Sequence, residues 1–168
     1  MQDLPDLSSD CASCAALCCL ALAFDAGEDF AFGKPAGLPC PNLDRTLGCT
    51  IHESLEDKGF AGCTRYDCNG AGQRVVQELF GGKSWRTHPG LTAEMIAAFA
   101  AMRQVHDAIE LLDTAGGLDL PAPLEAERQS LLRACLPAEW TLTGLLAFAD
   151  SGPPARLRAF LPRLREWV

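Results

Sequence analysis

Apolar residues recur at helical spacing through the second half of the chain. Between positions 92 and 114 they fall at Met95, Ile96, Phe99, Met102, Val105, Ile109 and Leu112, three and four apart, which predicts one long amphipathic helix. Thr92 is placed to cap it, Glu94 suits its first turn, and Gly116-Gly117 ends it. Pro121-Ala-Pro123 separates it from a second helix over 124–136, and a third follows Pro137 over 138–150. Ser151-Gly-Pro-Pro breaks the pattern again. A last helix over 155–168 carries Leu157, Phe160, Leu161, Leu164 and Trp167, with Pro162 set to kink it or limit its start.

The first half reads differently. A polar lead-in over 1–10 ends in Ser8, Ser9 and Asp10, any of which can cap a helix over 11–23 rich in Ala, Leu and Cys. Residues 25–50 are dense in Gly, Pro and Asp and read as loops and turns. A short helix over 51–60 ends at Gly59, a turn runs to Cys68, and Val75, Val76, Leu79 and Phe80 mark a helix face before Gly81-Gly82. No stretch alternates strictly between apolar and polar residues. The expected fold is mainly α with little or no β. An irregular cysteine-rich metal-binding lobe over 1–82 is followed by a C-terminal helical bundle over 83–168, packed on it as one compact domain.

Composition narrows the chemistry. At 168 residues and 48% hydrophobic, the chain is long enough to build an ordinary core, so its nine cysteines are not needed to compensate for small size. A net charge of −8 makes nucleic acid and anionic membrane surfaces poor partners. The first ten residues hold three Asp and no Lys or Arg, unlike a secretory signal, and the apolar run from Ala15 to Phe24 is too short to span a membrane. These features place the protein in the cytoplasm, where clustered thiols stay reduced.

Eight of the nine cysteines lie in one stretch: Cys11, Cys14, Cys18, Cys19, Cys40, Cys49, Cys63 and Cys68. On a helix the first three fall at about 0°, 300° and 340°, one narrow stripe, while Cys19 falls at about 80° and points elsewhere. Thiolates ligate zinc tetrahedrally and also hold iron–sulfur clusters. Eight cysteines allow two four-thiolate sites, or one site with spare thiols; the choice between zinc and iron–sulfur stays open. Such anionic sites need N–H donors and cations nearby, and Lys34, Arg45, Lys58, Arg65 and Arg74 are the cations at hand. Buried apolar cysteines are the plainer alternative, strongest for Cys19. A disulfide framework or thiol switch is another, although Cys11-x-x-Cys14 lacks the βαβ setting of a thioredoxin motif.

The order Cys-x2-Cys-x3-Cys-Cys, Pro-Cys-Pro-Asn-Leu, Gly-Cys-Thr-Ile-His-Glu and Cys63 resembles the YkgJ-like cysteine-cluster family, described as zinc- or iron-chelating. Flagellin lysine methylases carry a similar cluster associated with an iron–sulfur centre. The chain is also similar, over about residues 8–150, to the N-terminal part of actinobacterial pentapeptide-repeat proteins. There a Tyr-Asp-Cys-x-Gly-Ala-Gly-Gln stretch (Tyr66 to Gln73 here), a Phe-Gly-Gly (Phe80 to Gly82) and a helix with Arg-Gln-x-His (Arg103 to His106) follow in the same order. The resemblance implies metal binding by the eight cysteines. The repeats themselves are absent from this sequence, so nothing residing in them is carried over. His52 stands where the broader family has Tyr, which argues against it as a ligand.

Other candidates are weaker. Cys135 and His106 sit among apolar neighbours and read as core residues; His88 reads as a loop histidine. Gly70-Ala-Gly72 lacks the context of a nucleotide fingerprint. The four arginines at 156, 158, 163 and 165 read as a solvated helix face. No Ser/His/Asp order or carboxylate pair stands out as catalytic. Three roles remain: a structural, sensing or metal-handling protein; a redox or methyl-transfer component using an iron–sulfur cluster; or a helical module that docks a protein partner and is folded by its metal.

Overall fold

The computed structural model describes residues 4–150 and 152–168; the first three residues of the polar lead-in and Ser151 of the predicted break lie outside the described residues. Seven α-helices occur among them: α1 (Leu17–Ala21), α2 (Ala61–Arg65), α3 (Ala71–Arg74), α4 (Thr92–Thr114), α5 (Ala122–Ala134), α6 (Leu142–Asp150) and α7 (Gly152–Phe160). The fold is mainly α. No strand forms among the described residues, and β-pairing is limited to isolated bridges between Phe24 and Lys34 and between Leu43 and Cys49.

Helix α4 is the platform. Its apolar residues occupy more than one stripe, with Ala98, Ala101 and Ala108 buried beside Met95, Phe99, Met102, Val105, Ile109 and Leu112. A helix apolar over so much of its circumference has to be covered on several sides. Helices α1 and α3, with a π-helical turn over Val75–Leu79, cover it from the cysteine-rich half; α5, α6 and α7 cover it from the other. Burying side chains such as Phe99, Met102 and Leu145 stabilises by about 1.5–3 kcal/mol each.

The predicted helix over 11–23 is present only as α1, Leu17–Ala21, so Cys11, Cys14 and Cys18 do not form a helical stripe. The reason lies about seventy residues away. The Trp85 indole N–H donates to the Ala15 carbonyl at 2.7 Å, and the Gln77 amide donates to the Ser13 carbonyl at 3.0 Å. Those carbonyls are thereby engaged outside a helical ladder. Asp10 accepts the Ala12 N–H at 3.0 Å, and Ala15 and Ala16 take the left-handed conformation with φ 50° and 52°.

Other boundaries move for local reasons. Residues predicted as a turn before Cys68 form α2, because Gly62 lets the loop from Phe24 to Lys34 pack on it. A Cβ at Gly62 would stand 2.2 Å from Phe30 Cζ. The helix predicted over 51–60 is a 3₁₀ turn, His52–Ser54, followed by turns to Gly59. Helix α5 lies two residues earlier than predicted, and α6 starts at Leu142 rather than 138. Helix α7 starts at Gly152 and stops at Phe160; a 3₁₀ turn over Leu161–Leu164 follows, with Pro162 in it. Proline has no N–H to continue the α ladder, so the predicted run to Val168 is cut there.

Replacing Trp85 by Phe keeps the ring in its buried site and removes the bond to Ala15. The expected cost is about 1–3 kcal/mol, measured by urea denaturation. An unchanged midpoint would show that this bond does not hold the opened segment.

Candidate metal centre

All eight clustered cysteines line one cavity of about 910 Å³, which reaches from the N-terminal turns to Phe99 of α4. Cys11 to Cys19 are close in sequence, and folding brings Cys40, Cys49, Cys63 and Cys68 to the same cavity. Cys14 and Cys68 are buried, Cys18, Cys19, Cys40 and Cys49 are half-buried, and Cys11 and Cys63 are exposed. Cys135 does not line the cavity; it packs in the helical core, 2% exposed. His52 is exposed on the cavity wall. His88 is an exposed loop residue whose ring lies 2.9 Å from the Thr87 hydroxyl, and it is not part of the wall.

One set of thiols is fixed by contacts between the lead-in and the segment before α3. Ser9 Oγ lies 3.1 Å from Cys68 Sγ and donates to Asp67 at 2.6 Å. Gln73 accepts the Asp10 N–H at 2.8 Å and donates to the Ser8 carbonyl at 2.7 Å. Gly72 completes the seat: a Cβ there would stand 2.9 Å from Cys14 Cβ, so only glycine permits this approach. Cys14 and Cys11 are joined by a thiol-to-carbonyl contact of 3.3 Å.

A second set is fixed by the loop after α1. The Cys40 N–H donates to the Cys19 carbonyl at 3.0 Å, Leu43 N–H to the Cys40 carbonyl at 3.1 Å, and Leu43 bridges to Cys49. An aromatic cluster stiffens this side. Phe24 stacks on Phe30 with centroids 4.3 Å apart, and Phe32 meets Phe60 edge-on at 4.9 Å. Cys63 follows in α2, whose start is tied to this loop by the Gly62 N–H bond to the Asp29 carbonyl, 3.1 Å.

Burial and crowding make Cys11, Cys14, Cys18 and Cys63 weaker acids than a free thiol. Burial pushes the Cys14 thiol up to about 12, with Cys18 adding to the effect. Burial likewise pushes Cys63 up to about 11, and it raises Cys11. Cys18 is raised most, first by its thiol contact with Cys19 and then by burial. Thiolates would repel one another here unless a cation joined them. One cation is built in. Lys34 is only 5% exposed, and its ammonium donates to the carbonyls of Leu20 at 3.3 Å, Pro35 at 3.1 Å and Leu38 at 2.7 Å. No carboxylate among the described residues pairs with it. Burial lowers its pKa, and the charges that oppose that shift belong to Cys40, Cys19 and Cys18.

In composition this donor set suits a thiolate-bound metal or cluster: sulfur dominates the polar lining, and the Cys18 and Cys19 sulfurs lie 3.8 Å apart. That separation matches the edge of a four-sulfur tetrahedron with zinc–sulfur bonds of about 2.3 Å. In spacing the set is more open: among the described residues, no three His, Cys, Asp or Glu side chains converge closely enough to hold an ion.

Two motifs read separately in the sequence prove to be one structural unit. The Arg103 guanidinium lies over the Tyr66 ring at 4.9 Å and donates to its hydroxyl. His106, fully buried, is hydrogen-bonded through Nδ1 to the Asn69 carbonyl, and Arg74 lies 3.3 Å from its Nε2. Asn69 reaches Glu110 at 2.6 Å and Asp107 at 3.3 Å. The stretch carrying Cys68 is thus bolted to α4. Sequence reasoning placed His106 in the core without finding its partners, and it missed the roles of Trp85 and the Phe cluster. Lys34 is one of five candidate cations in the sequence, and burial singles it out.

The chain is 43% identical over 122 residues to the uncharacterized protein YybG of Bacillus subtilis (strain 168), an alignment covering 73% of this chain and 44% of that protein. The chain therefore spans less than half the length of the relative it matches. No family model matches it, and no solved structure does either.

Burial, with Arg74 beside it, lowers the His106 pKa. The unfolded chain then binds the proton more readily, so stability is full above the unfolded value of about 6.5 and falls as pH drops below it, by up to about 1.4 kcal/mol per unit. Denaturation midpoints of wild type and His106→Gln at pH 5 to 8 test this. The wild type is expected to lose more stability than the variant on acidification; parallel curves would contradict it.

Proposed function

We propose that this is a cytoplasmic cysteine-cluster protein that binds zinc or an iron–sulfur cluster through Cys11, Cys14, Cys18, Cys19, Cys40, Cys49, Cys63 and Cys68. The observation that carries the reading is that cysteines from separate chain segments all line one cavity, while the remaining cysteine, Cys135, is packed elsewhere. The resemblance to YkgJ-like cysteine-cluster proteins supports the same reading. No described helix is long and apolar enough to cross a membrane.

A bound zinc ion would supply a fold-stabilising cross-link, and an iron–sulfur cluster would add one-electron chemistry. The residues of the chain divide the remaining work. The cysteines give up protons to become ligands, Lys34 offsets part of the resulting negative charge, and Phe24, Phe30 and Phe60 give the cavity an apolar wall. The role that follows is holding, sensing or handling metal.

Metal analysis and absorption of anaerobically purified protein test this. Stoichiometric zinc without absorption near about 400 nm, or iron and sulfide with it, is the expected outcome. A normally folded protein containing neither would overturn the proposal. Cys14→Ser and Cys49→Ser are each expected to lower bound metal, and Cys135→Ser to leave it unchanged. Loss of metal in Cys135→Ser would contradict the division between cavity and core thiols. Lys34→Met should weaken retention against a chelator by about 10- to 100-fold; retention equal to wild type would remove Lys34 from the site.

A further inference from the structure

Cys18 and Cys19 are neighbours in α1, and their sulfurs are in contact at 3.8 Å. Successive residues of an α-helix diverge by about 100°, so helical position alone does not bring two such thiols together. The backbone beneath them is pinned. The Cys18 carbonyl accepts the Leu22 N–H at 3.2 Å, and the Cys19 carbonyl accepts the Cys40 N–H at 3.0 Å. The Leu20 carbonyl accepts the Gly37 N–H at 3.1 Å and the Lys34 ammonium at 3.3 Å. Both thiols are half-buried and line the cavity, whose wall also carries Leu22, Phe24, Phe30 and Phe60.

We propose that Cys18 and Cys19 form a dithiol clamp for a trivalent organoarsenical, whose arsenic atom bonds to both sulfurs. Magnitudes favour this over a disulfide pair. A disulfide holds its sulfurs about 2.05 Å apart. Closing the gap from 3.8 Å would take roughly 1.75 Å of movement, against a backbone held at three successive carbonyls. A single atom bonded to each sulfur at about 2.3 Å, the zinc–sulfur length, spans 3.8 Å at a tetrahedral angle. Arsenic–sulfur bonds are of similar length. An arsenic atom carrying one organic group has two positions left for sulfur. It therefore needs only two thiols, not the three converging ligands that the described residues do not supply. The step balances: two arsenic–sulfur bonds form, and the arsenoxide oxygen leaves as water with both thiol protons. Arsenic stays trivalent, so no oxidant or reductant takes part. The organic group enters a largely apolar cavity of about 910 Å³, within the range of pockets that enclose small molecules. The inference uses two of the cavity thiols and stands whether or not they also hold zinc or a cluster.

The test titrates the full chain, metal-free and reduced, with phenylarsine oxide. Native mass spectrometry is expected to show one adduct per chain at one equivalent. Maleimide labelling with peptide sequencing is expected to find two thiols protected, those of Cys18 and Cys19. Cys18→Ser and Cys19→Ser should each weaken binding by about 100-fold or more, because the second sulfur no longer closes the chelate. Cys40→Ser and Cys49→Ser should leave it unchanged. No adduct, protection of a different pair of thiols, or equal weakening in all four variants would overturn the clamp. If a serine variant does not fold, the wild-type protection pattern decides. An adduct on a chain that takes up neither zinc nor iron would uphold this inference and overturn the metal-binding proposal. Bound zinc without an adduct would do the reverse.

Discussion

Sulfur atoms crowded around a partly buried space are comfortable as neutral thiols or as ligands of a cation, and costly as bare thiolates. The protein places eight cysteines around one cavity, and burial and contact with neighbouring thiols raise the pKa of Cys11, Cys14, Cys18 and Cys63. Everything nearby answers to that constraint. Lys34 brings an ammonium into the interior, secured by three carbonyls and by no carboxylate among the described residues. Its ammonium also lies 5.7 Å from the centroid of the Phe24 ring.

The helical half sustains this arrangement. Helix α4 is apolar on several sides, so it is covered by the cysteine-rich segments on one side and by later helices on the other. Its polar residues are equally engaged. Arg103 and His106 grip Tyr66 and Asn69, which flank the segment carrying Cys68, while Phe99 reaches the cavity wall. The longest described helix thus touches both the segment carrying Cys68 and the cavity wall.

The long helix was legible because its apolar spacing is a local signal that tertiary contacts reinforce, and its bounds at Thr92 and Thr114 are those read from sequence. The core position of Cys135 was legible too, from its leucine-rich surroundings. The opened segment before α1 was not legible. Its Ala, Leu and Cys content favours helix, and the bonds that undo it come from Gln77 and Trp85, far along the chain. The importance of Lys34 over the four other candidate cations was hidden for the same reason: burial is decided by the fold around the Phe24–Lys34 bridge, not by the residue itself.

X-ray absorption at the metal edge of protein purified with its native content tests the central claim most directly, because it reads the ligand atoms themselves. The account predicts a first shell of sulfur alone, at about 2.3 Å for zinc. A shell dominated by nitrogen or oxygen would contradict it.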